Sequence, residues 1–177
     1  MIDSFEVKVR HQVERLKSQD YPAIEAEVTQ KRLAWLAQNR PTQKGQAPVS
    51  PRQAYQLLFF DYMGLSAADL PVVEETDTQI AWLSQNPCPT LQACLRLGLD
   101  TRTVCRAAYE KSTQTFLSYL DPQLRFVRNY EEIRPYAQHC RESILRVDFN
   151  AAIVYGVSIE VIGGVLSEEC RALYLEA

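Results

Sequence analysis

The segment ETDTQIAWLS, residues 75–84, decides the fold class of this 177-residue chain. Within it, threonine, isoleucine and tryptophan recur at every second position from Thr76 to Trp82. A period of two places such residues on one face of a half-buried strand. Two further short runs of strand character follow at residues 124–130 and 144–149. Three short strands predict a small antiparallel sheet that packs against helices.

The residues before this segment have the spacing of helices. Apolar residues recur at helical intervals over residues 5–16, and a second helical pattern covers residues 23–37. Ser50 followed by Pro51 predicts the start of a third helix, because a hydroxyl caps free amides and proline lacks the N–H that would be unpaired there. Gly64 predicts its end. The expected fold is therefore α+β and mainly helical, with about three strands.

The residues after the segment add helices between the predicted strands. Thr90 is expected to cap a short helix that ends at Gly98. Asp100, or the threonine after it, can cap a longer helix that ends near Asp121. Residues 150–177 are also predicted to be helical.

The composition indicates a globular protein, with 46% hydrophobic and 23% charged residues. We expect a single domain over residues 1–177, with a helical part at 1–70 and a cysteine-bearing α+β part at 71–177. The net charge of -3 offers no long-range attraction for phosphates, so nucleic acid is not an expected partner. No apolar run is long enough to span a membrane and the first residues do not resemble a signal peptide, which predicts a cytoplasmic protein.

Two sequence motifs have the residue order that is typical of two helices joined by a tight turn. They are LGLDTRTVCRAAY at 97–109 and YGVSIEVIGGVL at 155–166, each with glycine before a capping Asp or Ser. We interpret them as αα corners of the core. The alternative is a helix-turn-helix DNA-binding domain, in which the first motif would meet the groove through Thr101, Arg102, Thr103 and Arg106.

The cysteines are expected to be free thiols, because their count is odd and a reducing compartment disfavours disulfides. The five are Cys88, Cys94, Cys105, Cys140 and Cys170. Metal knuckles usually place two ligands two to four residues apart, a spacing that this chain lacks. No cofactor is therefore predicted. If the chain is a zinc or iron–sulfur protein instead, the expected ligands are Cys88, Cys94, Cys105 and Cys140.

Cys88 is the best candidate for a reactive thiol. It is predicted to lie between a strand and the start of a helix, where the amide dipoles favour a thiolate. Buried, unreactive cysteine is the alternative. Arg128, Arg134 and Tyr130 could hold a carboxylate between guanidinium groups and an aromatic wall. The competing interpretation is a solvated edge with ion pairs to Glu131 and Glu132.

The central part of the chain, about residues 80–145, also carries a family resemblance. The residues concerned are Asn86-Pro87-Cys88-Pro89, Gly98, Val104-Cys105, Pro122, Leu124-Arg125-Phe126 and Cys140. Their order resembles the L-2-amino-thiazoline-4-carboxylic acid hydrolase family. The resemblance implies hydrolytic ring opening of a small cyclic amidine acid, or a fold that holds a small carboxylate near a thiol.

The leading hypothesis is a cytosolic protein that binds a small carboxylate, or a thiol-dependent hydrolase. Cys88 or Cys140 would supply the thiolate and His139 a proton relay. Arg134 or Arg128 would hold the carboxylate. A different class is a non-enzymatic interaction module, in which Trp35, Tyr55 or Phe60 would contact a partner protein.

Overall fold

The computed structural model describes residues 4–40 and 48–147, which lie in one compact unit that spans residues 1–147. The helices are α1 Ser4–Lys17, α2 Tyr21–Asn39, α3 Pro51–Tyr55, α4 Pro89–Leu97, α5 Thr101–Cys105 and α6 Lys111–Leu120, with a 3-10 turn at Ala67–Asp69. Two π-helical segments, called π1 (Gln56–Tyr62) and π2 (Arg106–Glu110), continue α3 and join α5 to α6. The strands are β1 Val72–Glu75, β2 Gln79–Ser84, β3 Leu124–Arg128 and β4 Cys140–Arg146. The predicted α+β, mainly helical fold class is confirmed.

The sheet has four strands in the order β1-β2-β4-β3, and all neighbours are antiparallel. The segment 75–84 is not one strand, because the chain turns within it. The Thr76 amide donates to the Gln79 carbonyl at 2.8 Å, which closes a hairpin between β1 and β2. The strand predicted at 144–149 begins earlier, and its last residues lie outside the described part of the chain, as does the predicted helix at 150–177.

The helix boundaries follow local capping chemistry. Ser50 caps α3 in a reciprocal arrangement with Gln53, and Gly64 has φ 68°, so both predicted boundaries are found. The start of α4 differs from expectation. Pro89 occupies the first turn, and Cys88 rather than Thr90 is the capping residue.

The inner face of the sheet changes from apolar to polar along the strands. Phe126, Ile144 and Ile80 form one cross-strand row in the core against α3, π1 and α6. The next row contains Arg128, Glu142 and Trp82, and beyond it Cys140 pairs with Ser84. This polar end of the inner face brings the candidate site residues of β3 and β4 together.

Candidate functional site

Glu142 organises the polar end of the sheet. Its carboxylate is buried, and Oε1 accepts from Arg128 Nε at 2.7 Å. Oε2 accepts from Ser84 Oγ at 2.7 Å and from Trp82 Nε1 at 3.1 Å. Arg128 therefore pairs with Glu142 and not with Glu131 or Glu132, so the solvated-edge interpretation is wrong for this arginine.

Arg128 is held as a cation with one donor left over. Burial opposes its charge, but the Glu142 carboxylate, together with Cys105 and Tyr130, outweighs burial and raises the pKa of Arg128. Its Nη1 is buried and has no hydrogen-bond partner in the described part of the chain. A guanidinium that is fixed on one side and unpaired on the other can hold an oxyanion.

Cys88 lies at the start of α4, where its Sγ accepts from the Leu91 amide at 3.4 Å. Burial raises the pKa of Cys88, although the amides of Leu91 and Thr90 and the Arg134 guanidinium act in the opposite direction. The amides at the start of the helix thus act in the expected direction, but burial outweighs them. Desolvation exceeds the dipole effect, and Cys88 is a neutral thiol at neutral pH.

The other thiols lie within electrostatic reach of Cys88. Burial raises the pKa of Cys94 and of Cys105 to about 12. Cys105 interacts with Arg128 and also with Cys88 and Cys140. Cys105 on α5 thus lies within electrostatic range of Arg128 as well as of Cys88, at the start of α4, and Cys140, on β4.

This grouping is not a metal site. Within residues 4–40 and 48–147, no group of three or more His, Cys, Asp or Glu side chains lies close enough to hold a metal ion. The four cysteines that we named as conditional ligands are therefore not assembled into a ligand set.

Arg134 fixes the loop that carries Cys88. Its Nη1 and Nη2 donate to the carbonyl and the side-chain oxygen of Asn86, at 2.9 and 3.3 Å. Its backbone amide donates to Cys140 Sγ at 3.5 Å. Because Asn86 occupies the fork of Arg134, Arg128 is the better candidate for a carboxylate clamp.

Tyr130 and His139 flank this region. The Tyr130 hydroxyl donates to Glu110, and the Arg106 guanidinium lies 4.1 Å from the centre of its ring. His139 Nε2 lies 3.4 Å from Glu132 Oε2. His139 thus pairs with Glu132, and a proton relay from His139 to Cys88 stays a prediction.

Arg32 is a functional candidate that the sequence did not reveal. It is 7% exposed, and its Nη1 donates to the hydroxyls of Ser112 and Thr113 at 2.8 and 2.7 Å. Burial and, to a smaller extent, the charge of Arg128 lower the pKa of Arg32 to about 10. Its spacing could have indicated burial, because Arg32 lies four residues before Leu36 on the buried face of α2.

The first of the two motifs, at residues 97–109, forms an αα corner, and its basic residues contact aromatic rings. Gly98 has φ 66°, and the Asp100 carboxylate accepts from the Arg102 amide at 2.7 Å. Thr101 is buried and donates to a backbone carbonyl, and the Arg102 guanidinium lies 4.0 Å from the ring centre of Tyr136. These contacts remove residues that a DNA-reading helix would need. The second motif, at residues 155–166, lies outside the described residues.

The aromatic residues predicted for an interaction module pack in the core instead. Tyr55 is 1% exposed and contacts the rings of Phe60 and Trp82. Trp35 stacks on Phe116. Trp35 and Phe60 are partly buried and pack against this core, so Tyr55 is the one of the three that is fully enclosed.

A groove of about 570 Å³ lies elsewhere, between α2 and α6, and is lined by residues such as Glu25, Leu33, Lys111 and Thr115. It contains no thiol and no arginine, so we do not regard it as the site.

Comparison with known proteins yields no relative: no family model, no curated protein and no solved structure matches the chain. Among the described helices, none has the length and apolar character that crossing a membrane requires.

Proposed function

We propose that the protein is a thiol-dependent hydrolase of a small carboxylic acid, with Cys88 as the nucleophile. The observation that carries this proposal is the position of Cys88 and Cys140 beside Arg134, with Cys105 linking them electrostatically to Arg128. In this proposal the thiol attacks one end of a ligand whose carboxylate is held at the other end by the free donor of Arg128. The resemblance to the L-2-amino-thiazoline-4-carboxylic acid hydrolase family supports the same chemistry.

The proposed reaction adds one water to a cyclic amidine acid. Because Cys88 is a neutral thiol, an acceptor must take its proton as the sulfur attacks the amidine carbon, and the amidine nitrogen can do so. The ring bond to that carbon then opens, and the electron pair goes to the leaving ring atom with a proton. Water displaces the Cys88 sulfur, which regains a proton, so the thiol is regenerated and the product equals substrate plus water.

The role of Arg134 in this scheme is to position the thiol. It joins Asn86, two residues before Cys88, to the loop before β4. Arg128 binds the carboxylate, and Tyr130 forms a wall beside it. Cys140 lies close enough to Cys88 to raise the pKa of Cys88 in addition to the effect of burial, which favours the neutral thiol before substrate binds.

The test is incubation of the purified protein with L-2-amino-thiazoline-4-carboxylic acid, followed by mass spectrometry of the ring-opened acid. We expect turnover by the wild type, loss of turnover in Cys88→Ser, and retention in Cys94→Ala. Cys94 is the matched control because it is a completely buried thiol on the same helix. Binding without turnover would show a carboxylate-binding protein instead, and neither binding nor turnover would overturn the proposal.

A further inference from the structure

Arg32 is a buried cation without a carboxylate partner among the described residues. It hydrogen-bonds hydroxyls, those of Ser112, Thr113 and Tyr62, and no carboxylate among these residues. Its Nε is buried and has no acceptor in that part of the chain. A buried charge without an opposite charge is a costly arrangement in a protein interior. Arg32 therefore lacks the acceptor that its burial requires.

A second guanidinium with an unpaired donor, that of Arg128, lies on β3, the strand that is hydrogen-bonded to the helix whose hydroxyls Arg32 contacts. Arg128 is close enough to Arg32 for the two positive charges to repel. Glu142 pairs with Nε and Nη2 of Arg128, which leaves the buried Nη1 without a partner among the described groups. Two neighbouring guanidiniums, each with a donor to spare, form an arrangement suited to an oxyanion.

The backbone conformation points to the same place. Tyr62 is the last residue of π1 and interacts electrostatically with Arg32. Tyr109 lies in π2, and its carbonyl accepts from the Ser112 and Thr113 hydroxyls that Arg32 contacts. π-helical turns are rare in proteins and occur frequently at functional sites. Both π-helical segments among the described residues therefore bring a tyrosine to Arg32.

We propose that Arg32 and Arg128 form a buried oxyanion subsite that binds the carboxylate of a small monocarboxylic acid. Glu142 offsets the charge of Arg128, so Arg32 contributes one positive charge in excess, and a single carboxylate neutralises it. Cys105 interacts electrostatically with both Arg128 and Cys88, so Arg128 and Cys88 both lie within electrostatic range of one thiol. The inference deepens the proposed function and rests on it only for the place of the reacting group.

The test is thermal unfolding of the full chain at constant ionic strength in chloride, acetate, succinate or sulfate. Acetate is expected to raise the Tm relative to chloride, by about 5 °C or more at 100 times its Kd. In Arg32→Met this acetate-dependent shift disappears, while the Tm in chloride alone is unchanged or higher because the uncompensated charge is gone. Arg96→Met is the matched control, because Arg96 is an exposed arginine paired with Glu6, and it keeps the full shift.

Three results would overturn the subsite. They are the absence of an acetate shift in the wild type, an equal shift in Arg32→Met, and a shift with sulfate or succinate but not with acetate. If Arg32→Met does not fold, Arg32→Lys serves in its place. It keeps the charge but loses the fork, and we expect a shift at least several-fold smaller than that of the wild type. An undiminished shift in this variant also contradicts the subsite.

The subsite and the hydrolase proposal can fail separately. An acetate shift that persists in Cys88→Ser, together with no hydrolysis by the wild type, supports the subsite and contradicts only the proposed function. Hydrolysis without an acetate shift contradicts the subsite alone.

Discussion

Arg128 and Glu142 lie opposite each other on β3 and β4, and Arg128 Nε donates to Glu142 Oε1 at 2.7 Å. Glu142 is buried and Arg128 is 13% exposed, at the point where the inner face of the sheet becomes polar. Trp82 and Ser84 donate to the other carboxylate oxygen, so both oxygens of Glu142 are paired, whereas the Nη1 donor of Arg128 is not. The pair therefore fixes the direction of the free Arg128 donor.

We predict that Glu142→Gln destabilises the protein by about 3 kcal/mol, because Arg128 would remain buried without an opposite charge. Urea unfolding followed by tryptophan fluorescence measures the change. The control is Glu75→Gln, since Glu75 forms an ion pair with Arg52 that is more exposed to solvent, and we expect a loss of less than about 1 kcal/mol there. Equal losses in the two variants would show that the Glu142 pair has no special role.

The same pair shows what a sequence can and cannot predict. The strand period of residues 124–130 predicted β3, and parity alone places Arg128 on the opposite face from Arg125. The partner Glu142 could not be identified, because it is contributed by β4, whose start at Cys140 has no clear alternation. Long-range register depends on turn geometry and on the hydrophobic face of both strands together.

The helices were more predictable than the site. Capping residues such as Ser50, Gly64, Gly98 and Asp100 act through local hydrogen bonds and backbone conformation, so their effect is visible in a short stretch. Arg32 was missed because a lysine–arginine pair in a helix usually lies on the solvated face. Its burial depends on Ser112 and Thr113, 80 and 81 residues away in sequence.

The buried thiols predict a loss of stability at alkaline pH. Burial raises the pKa of Cys94 from 9.0 to about 12. Above pH 9 the unfolded chain loses this proton while the folded protein keeps it. Stability is therefore fully present below pH 9 and decreases as pH rises toward 12, by about 1.4 kcal/mol per pH unit for each such thiol.

The variant Cys94→Ala should reduce this slope by the contribution of one thiol. Urea unfolding at pH 8 and pH 10.5 measures this slope. The stability that a variant loses through altered packing is the same at both pH values, so it cancels from the difference between them. Ser118→Ala, on the exposed face of α6, should leave the slope unchanged. An unaltered slope in Cys94→Ala would show that this thiol ionises equally in both states.

We also predict that the protein does not bind duplex DNA with salt-sensitive, submicromolar affinity. Arg102 lies over Tyr136 and Arg106 over Tyr130, so neither is free to contact phosphate without losing a ring contact. Fluorescence anisotropy at two salt concentrations tests this. Tight binding that Arg102→Ala and Arg106→Ala abolish would restore the helix-turn-helix interpretation.

The most direct test of the central claim, a carboxylate site next to a reactive thiol, is the alkylation rate of Cys88 in the native protein. Peptide mass mapping after brief iodoacetamide treatment gives that rate with and without a saturating small monocarboxylic acid. We expect Cys88 to react faster than the completely buried Cys94, and the acid to slow Cys88 at least several-fold in the native protein but not in urea. Equal rates of Cys88 alkylation with and without the acid in the native protein would contradict the account.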